Sequence, residues 1–154
     1  MPDLRGHGES DGRSTSAPWK LDDDIDAAAE WLAARPDVDP TRIGLLGLSL
    51  GGEVALRVAA HRRDVRATVA EGAMGAVRDA KAGGASWPAL AQLGGLSVIS
   101  TVLTGEGTGA DVDLVTRIAP RPLLLISAGR AIDADVNRVF QRRGGRSIQH
   151  WKPP

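Results

Sequence analysis

The sequence predicts an α/β domain in which helices flank a parallel sheet. Short apolar runs bounded by turn residues alternate along the chain with segments whose apolar residues recur at helical spacing. This alternation is typical of parallel strands joined by helical crossovers. The run at 42–48 is apolar instead of alternately polar, as expected of a strand buried on both faces. The 154 residues, 42% of them hydrophobic, suit one domain spanning 1–154, without an internal repeat or a domain boundary.

The first half of the chain is predicted to form loop, helix, strand and helix. Residues 1–20 are polar and rich in glycine and serine, which predicts a loop. From Leu21 to Arg35 apolar residues recur at helical spacing, and three consecutive aspartates stand near the start, where the helix dipole favours negative charge. Pro36 ends this helix. Residues 42–48 (RIGLLGL) form the first predicted strand, and a second helix begins directly after Ser49.

The second half continues the alternation after an interruption. Residues 65–70 (VRATVA) predict a second strand, which completes a βαβ unit. Residues 74–119 contain repeated glycines and only short helical stretches, which predicts a small lid-like insertion of about this extent. The remaining predicted elements are a strand at 123–127, a helix at 133–143 and a strand at 147–151.

Composition and charge exclude several classes of function. Nineteen Lys and Arg balance 19 Asp and Glu, so no excess charge attracts nucleic acid or an anionic membrane. No apolar run approaches the roughly 20 residues that span a bilayer, and the first residues lack the apolar core of a signal peptide. The absence of cysteine excludes a cysteine nucleophile and cysteine-bound zinc. We therefore expect a cytoplasmic protein whose partner is a small molecule, with no nucleic acid and no membrane.

One motif indicates a candidate catalytic serine. Residues 47–51 (GLSLG) fit the pattern G-x-S-x-G between an apolar strand and an amphipathic helix. A nucleophilic Ser49 at the end of a strand needs a sharp turn with small neighbours, and the glycines at 47, 51 and 52 supply that room. The amide of Leu50, at the start of the helix, is a candidate donor to an oxyanion. The alternative is that Ser49 merely caps the helix.

Three segments in order resemble the α/β-hydrolase family. Residues 3–10 (DLRGHGES) are similar to the loop after its fourth strand, and Asp22 to Leu32 to the helix that follows. Residues 38–56 (VDPTRIGLLGLSLGGEVAL) are similar to its fifth strand, nucleophile elbow and next helix, in the version found in serine esterases and dienelactone-hydrolase-like members. The resemblance implies a partial α/β-hydrolase fold that contains strands five to eight of a mostly parallel sheet.

The resemblance also implies where the other catalytic groups belong. The acid of the family follows the seventh strand, where Asp133 and Asp135 stand; Asp133 is favoured because it lies nearer the strand, and Glu71 after the sixth strand is a weaker candidate. Either aspartate could instead cap the helix that follows. The family's catalytic histidine follows the eighth strand, whereas His150 falls inside that predicted strand. The other histidines, His7 and His61, are expected to have a structural role and a surface position.

These observations lead to an expected function with alternatives. The chain is expected to be the catalytic middle of a serine hydrolase that cleaves ester, thioester or amide bonds through an acyl intermediate on Ser49, without a metal or organic cofactor. Because neither a base nor a second oxyanion loop is evident, we expect a truncated chain that is inactive by itself. The alternatives are a non-catalytic hydrolase-like binding or regulatory module and, less favoured, a nucleotide-binding domain, which the absent G-x-G-x-x-G and G-K-[ST] patterns oppose.

Overall fold

The structure, a computed structural model, describes most of the chain on either side of a central gap. It covers residues 3–13, 21–73, 112–127, 129 and 131–152, together with the positions 81, 84, 86–88, 90, 91, 94, 95 and 98.

A four-stranded, all-parallel sheet forms the centre of the described structure. Its strands lie in the order β1-β2-β3-β4, so neighbours in sequence are neighbours in space. Each strand lies within one residue of its predicted bounds. The strands are β1 (Ile43–Leu48), β2 (Val65–Glu71), β3 (Leu123–Ile126) and β4 (Ile148–Trp151).

The four strands end at the same level. Leu48 is in register with Glu71, Glu71 with Ile126, and Ile126 with Trp151. The segments that follow β1, β2 and β3 therefore leave from one carboxyl edge, which is where open α/β sheets place their ligands and catalytic residues.

Helices alternate with the strands as predicted. The last one begins two residues earlier than expected, because Ala131 and Ile132 join its first turn. Short 3₁₀ turns at Pro40–Arg42 and Gly145–Ser147 lead into β1 and β4. The helices are α1 (Asp22–Ala33), α2 (Leu50–His61), α3 (Leu114–Ile118) and α4 (Ala131–Gly144). Among the described residues, none of the helices has the length and apolar character needed to cross a membrane.

The predicted insertion, about 74–119, lies mostly outside the described residues. Its last part is α3, whose Val115 and Ile118 are fully buried in the main core. These two side chains pack with residues of α2, β3 and α4, including Leu56, Leu123 and Phe140. Residues 114–118 are therefore part of the domain core.

The helices α1, α2, α3 and α4 pack against one face of the sheet. Leu45 of β1 contacts the apolar residues of α1 and α2, while Leu125 and Ile148 pack with α3 and α4. Side chains alternate between the faces along a strand, so Leu46 and Leu48 point the other way, and they are 71% and 59% exposed. The prediction that this strand is buried on both faces is therefore wrong for the described structure, in which helices cover one face only.

Candidate active site

The first candidate residue is Ser49, which occupies a strained turn between β1 and α2. It has φ 52° and ψ −116°, and among the described residues it is the one non-glycine with a positive φ. Its amide donates to the carbonyl of Glu71 at 2.7 Å, and its carbonyl accepts from the amide of Gly52 at 2.9 Å. Strain held by surrounding bonds in this way is typical of the nucleophile elbow.

The glycines around Ser49 have different roles. A Cβ on Gly47 would overlap the carbonyl of Gly51, and a Cβ on Gly52 would lie 3.1 Å from the carbonyl oxygen of Glu71. A Cβ on Gly51 would meet no atom within 4 Å. The turn therefore depends on Gly47 and Gly52, and the prediction that Gly51 supplies room is wrong.

The surroundings of Ser49 leave its hydroxyl exposed. The residue is exposed, and its side chain makes no capping hydrogen bond to α2, contrary to the alternative that it serves as a helix cap. Leu50 is the first residue of α2, so its amide has no acceptor within the helix. This amide lies at the positive end of the helix dipole, which favours negative charge there.

The candidate acids lie at different places on the carboxyl edge. Glu71 ends β2, the strand next to β1, and its carbonyl holds the amide of Ser49. Asp133 lies in the first turn of α4 and is 1% exposed. Asp135, on the same helix, forms an ion pair with Arg138. The structure thus joins Glu71 directly to the elbow and places both aspartates on α4, which contacts β3 and β4.

Each of the three histidines has a defined position. His61 ends α2, far from the start of the helix at the elbow, and its Nε2 lies 3.0 Å from an Asp26 carboxylate oxygen. The Nδ1 atom of His7 lies 3.1 Å from the carbonyl oxygen of Arg5. His150 lies inside β4, as the sequence predicted, and its Nε2 is 2.8 Å from the hydroxyl of Ser127.

Burial lowers the pKa of the His150 imidazole below its ordinary value, and the positive charges of Arg138 and Lys152 lower it further. The ring is therefore neutral at pH 7. Sequence reasoning identified His150 but not its hydrogen-bonding partner. No motif signalled Ser127, because its role depends on the register of β3 with β4.

A cavity of about 470 Å³ lies beside the elbow. One wall is β1 and the start of α2, and the other is the loop at 3–10. The guanidinium of Arg5 anchors this loop by donating from Nε to Asp24 of α1 at 2.6 Å, and hydrogen bonding to Arg5 lowers the pKa of the Asp24 carboxyl. The lining is mostly apolar and includes Leu4, Leu21, Ile25, Leu46, Leu48 and Val54.

Comparisons with known proteins agree with this arrangement. Residues 1–133 match the family described as X-Pro dipeptidyl-peptidase (S15 family). A relative of uncharacterized function, Rv2307c of Mycobacterium tuberculosis, is 45% identical over 60 residues, which are 39% of this chain and 21% of that protein.

Two solved structures show the same fold. The esterase Pf2001 of Pyrococcus furiosus aligns with a TM-score of 0.69 at 24% identity, over 97% of this chain and 59% of that one. The hypothetical protein PA2218 of Pseudomonas aeruginosa aligns with a TM-score of 0.66 at 19% identity, over 97% of this chain and 65% of that one. The chain thus spans less than two thirds of either structure. The match over residues 1–133 and the shared fold confirm the α/β-hydrolase resemblance, and the chain belongs to the X-Pro dipeptidyl-peptidase (S15) family of that superfamily.

Proposed function

We propose that this chain carries the nucleophile of a serine hydrolase, Ser49, which attacks the carbonyl carbon of an ester, thioester or amide. The observation that carries the proposal is the backbone of Ser49, a non-glycine held at φ 52° with its side chain outside the capping bonds of α2. Backbone strain of this kind is found mostly at functional sites. A serine that only started a helix would have an extended backbone and an oxygen bonded to the next turn.

The roles of the other residues follow from their positions. The Ser49 oxygen would form an acyl intermediate, and the Leu50 amide would stabilise the negative charge on the tetrahedral oxygen. Asp133 or Asp135 would orient the protonated histidine base. The side chain of Glu71 is the third candidate for orienting the base, because the residue lies beside Ser49, whose amide donates to its backbone carbonyl. No metal or organic cofactor is needed for this chemistry.

We propose further that the base comes from polypeptide outside this chain. His61 lies at the far end of α2, and His150 is bonded to Ser127 within β4. His7 lines the cavity beside the elbow, and its Nδ1 lies 3.1 Å from the carbonyl oxygen of Arg5 in its own loop. The exposed sheet face also supports additional polypeptide, because parallel sheets in α/β proteins are covered on both faces. The 154-residue chain is therefore expected to have no measurable turnover by itself.

The substrate class is an ester, thioester or peptide-like small molecule. The family that the chain matches is described by a peptidase activity, whereas Pf2001 is described as an esterase. A mechanism with an acyl-serine intermediate cleaves both ester and peptide bonds, since both present a carbonyl carbon to the nucleophile. An apolar cavity next to the elbow supports substrates with an apolar portion.

Chemical rescue tests the nucleophile. We expect a fluorophosphonate to label Ser49 slowly in the chain alone, and free imidazole, acting as the absent base, to raise the labelling rate by roughly tenfold or more. Peptide mass mapping identifies the labelled residue. Ser49→Ala should abolish labelling, whereas Ser147→Ala, which removes a hydroxyl near β4, should leave it unchanged. Labelling that persists in Ser49→Ala would refute the assignment.

The alternative is a non-catalytic hydrolase-like module, which the positions of the three histidines favour. In that case imidazole does not accelerate labelling at any concentration. A different outcome would be that the chain alone turns over p-nitrophenyl acetate rapidly and loses this activity in Ser49→Ala. That result would contradict the proposal of an external base, and it would support Ser49 as the nucleophile.

A further inference from the structure

A group of polar side chains lies buried between α4 and the carboxyl edge of the sheet. Ser127 directly follows β3, Asn137 lies on α4 and His150 on β4; we call these three residues the edge cluster. Ser127 is 2% exposed and Asn137 1%. The Ser127 hydroxyl lies 2.8 Å from Nε2 of His150, and Nδ2 of Asn137 donates to it at 3.3 Å.

The edge cluster differs from the packing around it. The neighbouring buried side chains of α4, Ile132, Val136 and Phe140, are apolar and belong to the main core. Apolar side chains pack α4 onto the sheet without directional constraint, whereas buried polar groups are stable only when their hydrogen bonds are made. The edge cluster therefore adds a directional contact between Asn137 of α4 and the segment that follows β3.

The Ser127 hydroxyl connects the other two members of the cluster. The Asn137 amide donates to the Ser127 oxygen, and the same hydroxyl shares a hydrogen bond with Nε2 of His150, whose direction depends on which ring nitrogen carries the proton. The charged groups that face His150 are Arg138 of α4 and Lys152 after β4, and both oppose its protonation. The cluster is therefore a connected chain of donors and acceptors across three elements.

The edge cluster lies one helical turn from a candidate acid. Asp133 precedes Asn137 by four residues on α4, which places both on the same side of the helix, and both are 1% exposed. The amide of Ser127 also donates to the carbonyl of Trp151 at 3.0 Å, so that β3 and β4 remain joined beyond the end of β3. A shift of α4 along this edge would displace Asp133.

We propose that Ser127, Asn137 and His150 are positioning residues that hold Asp133 in place at the carboxyl edge of the sheet. Their role in catalysis rests on the proposed function, in which Asp133 orients the base. The geometric part, coupling of Asp133 to the cluster, is independent of catalysis and can be measured separately.

Nuclear magnetic resonance tests the coupling in the 154-residue chain. In the wild type, the His150 ring should titrate below the ordinary value near 6.5. Asn137→Leu and Ser127→Ala should move this midpoint away from the wild-type value, because both change the hydrogen bonding of the Ser127 hydroxyl that contacts the ring. Both variants should also shift the carboxyl carbon resonance of Asp133. Ser127→Thr, which keeps the hydroxyl, should restore both signals.

Val136→Ala is the matched control, because it loosens the packing of α4 without removing a member of the cluster. It should leave the His150 midpoint and the Asp133 resonance unchanged. Equal midpoints in the wild type and Asn137→Leu, or an equal Asp133 shift in Val136→Ala, would overturn the proposal.

The imidazole-assisted labelling of Ser49 then connects the cluster to the reaction. Asn137→Leu should slow it by roughly fivefold or more, and Val136→Ala by less than about twofold. If the wild-type chain is not labelled, the proposed function fails, and the resonance measurements alone decide whether the cluster positions Asp133.

Discussion

At the scale of single residues, the elbow depends on two close approaches of the backbone. Gly47 lies where a Cβ would overlap the carbonyl of Gly51, and Gly52 lies against the carbonyl of Glu71. Ser49 keeps its positive φ because its amide and its carbonyl are both bonded. The local strain is thus maintained by β2 and α2 on either side.

A matched pair of alanine substitutions tests this account. Gly47→Ala should lower the free energy of unfolding by about 2 kcal/mol or more, because the clash is with backbone that cannot rotate away. Gly51→Ala should be neutral or stabilising by up to about 1 kcal/mol, because it replaces a glycine within α2 at an open position. Urea unfolding measures both, and equal losses in the two variants would contradict the role assigned to Gly47.

At the scale of elements, Arg121 connects the end of α2 to the start of β2. One amino group of its guanidinium donates to the carbonyls of Arg62 and Val65, both at 2.8 Å, and the other to the carbonyl of Ala59 at 2.6 Å. The last carbonyls of a helix have no partner within it. Arg121 therefore caps α2 from a different segment of the chain, at the end opposite to Ser49.

Removal of this cap should destabilise the domain. Arg121→Leu is expected to cost about 2–3 kcal/mol in the free energy of unfolding, because it leaves partly buried carbonyls without a charged donor. Arg117→Leu, at an exposed position of α3, removes the same charge and should cost less than about 0.5 kcal/mol. Chemical denaturation of both variants provides the comparison, and a similar loss in each would mean that charge rather than capping is responsible.

At the scale of the whole molecule, the described helices all lie on one face of the sheet. The opposite face exposes Leu46, Leu48 and Trp151, which are 71%, 59% and 52% exposed. Its inner positions Val69 and Leu124 are half-buried. An apolar face of this kind is an interaction surface or an aggregation hazard.

We expect the 154-residue chain to self-associate through this face. The double substitution Leu46→Lys with Leu48→Lys should reduce both self-association and the binding of the dye ANS, because two charges interrupt the apolar surface. Light scattering coupled to size exclusion measures the mass. Ala27→Lys with Ala34→Lys adds the same charge at exposed positions on or beside α1; if it reduces association equally, net charge and not this face controls the behaviour.

Much of the fold could be predicted because its determinants are local. Apolar runs such as that of β1, the helical spacing of α1 and the pattern around Ser49 act within a few residues, so each strand was placed within one residue. The family resemblance predicts a nucleophile elbow at Ser49 on the same local basis. The prediction was wrong where distant segments decide the outcome, as for the covering of β1 on both faces and the room at Gly51.

By itself the sequence determined which segments become strands and helices and where the sharp turn at Ser49 stands, because periodicity and glycine placement depend on neighbouring residues. Only the tertiary structure decided that Glu71 holds the elbow, that Ser127 is bonded to His150 and Asn137, and that helices cover one face of the sheet. The physical reason is that the contacts of Ser49 with Glu71 and of Ser127 with His150 join distant residues and depend on the register of parallel strands. The contact of Ser127 with Asn137 depends on how α4 packs on the sheet, which no local pattern encodes.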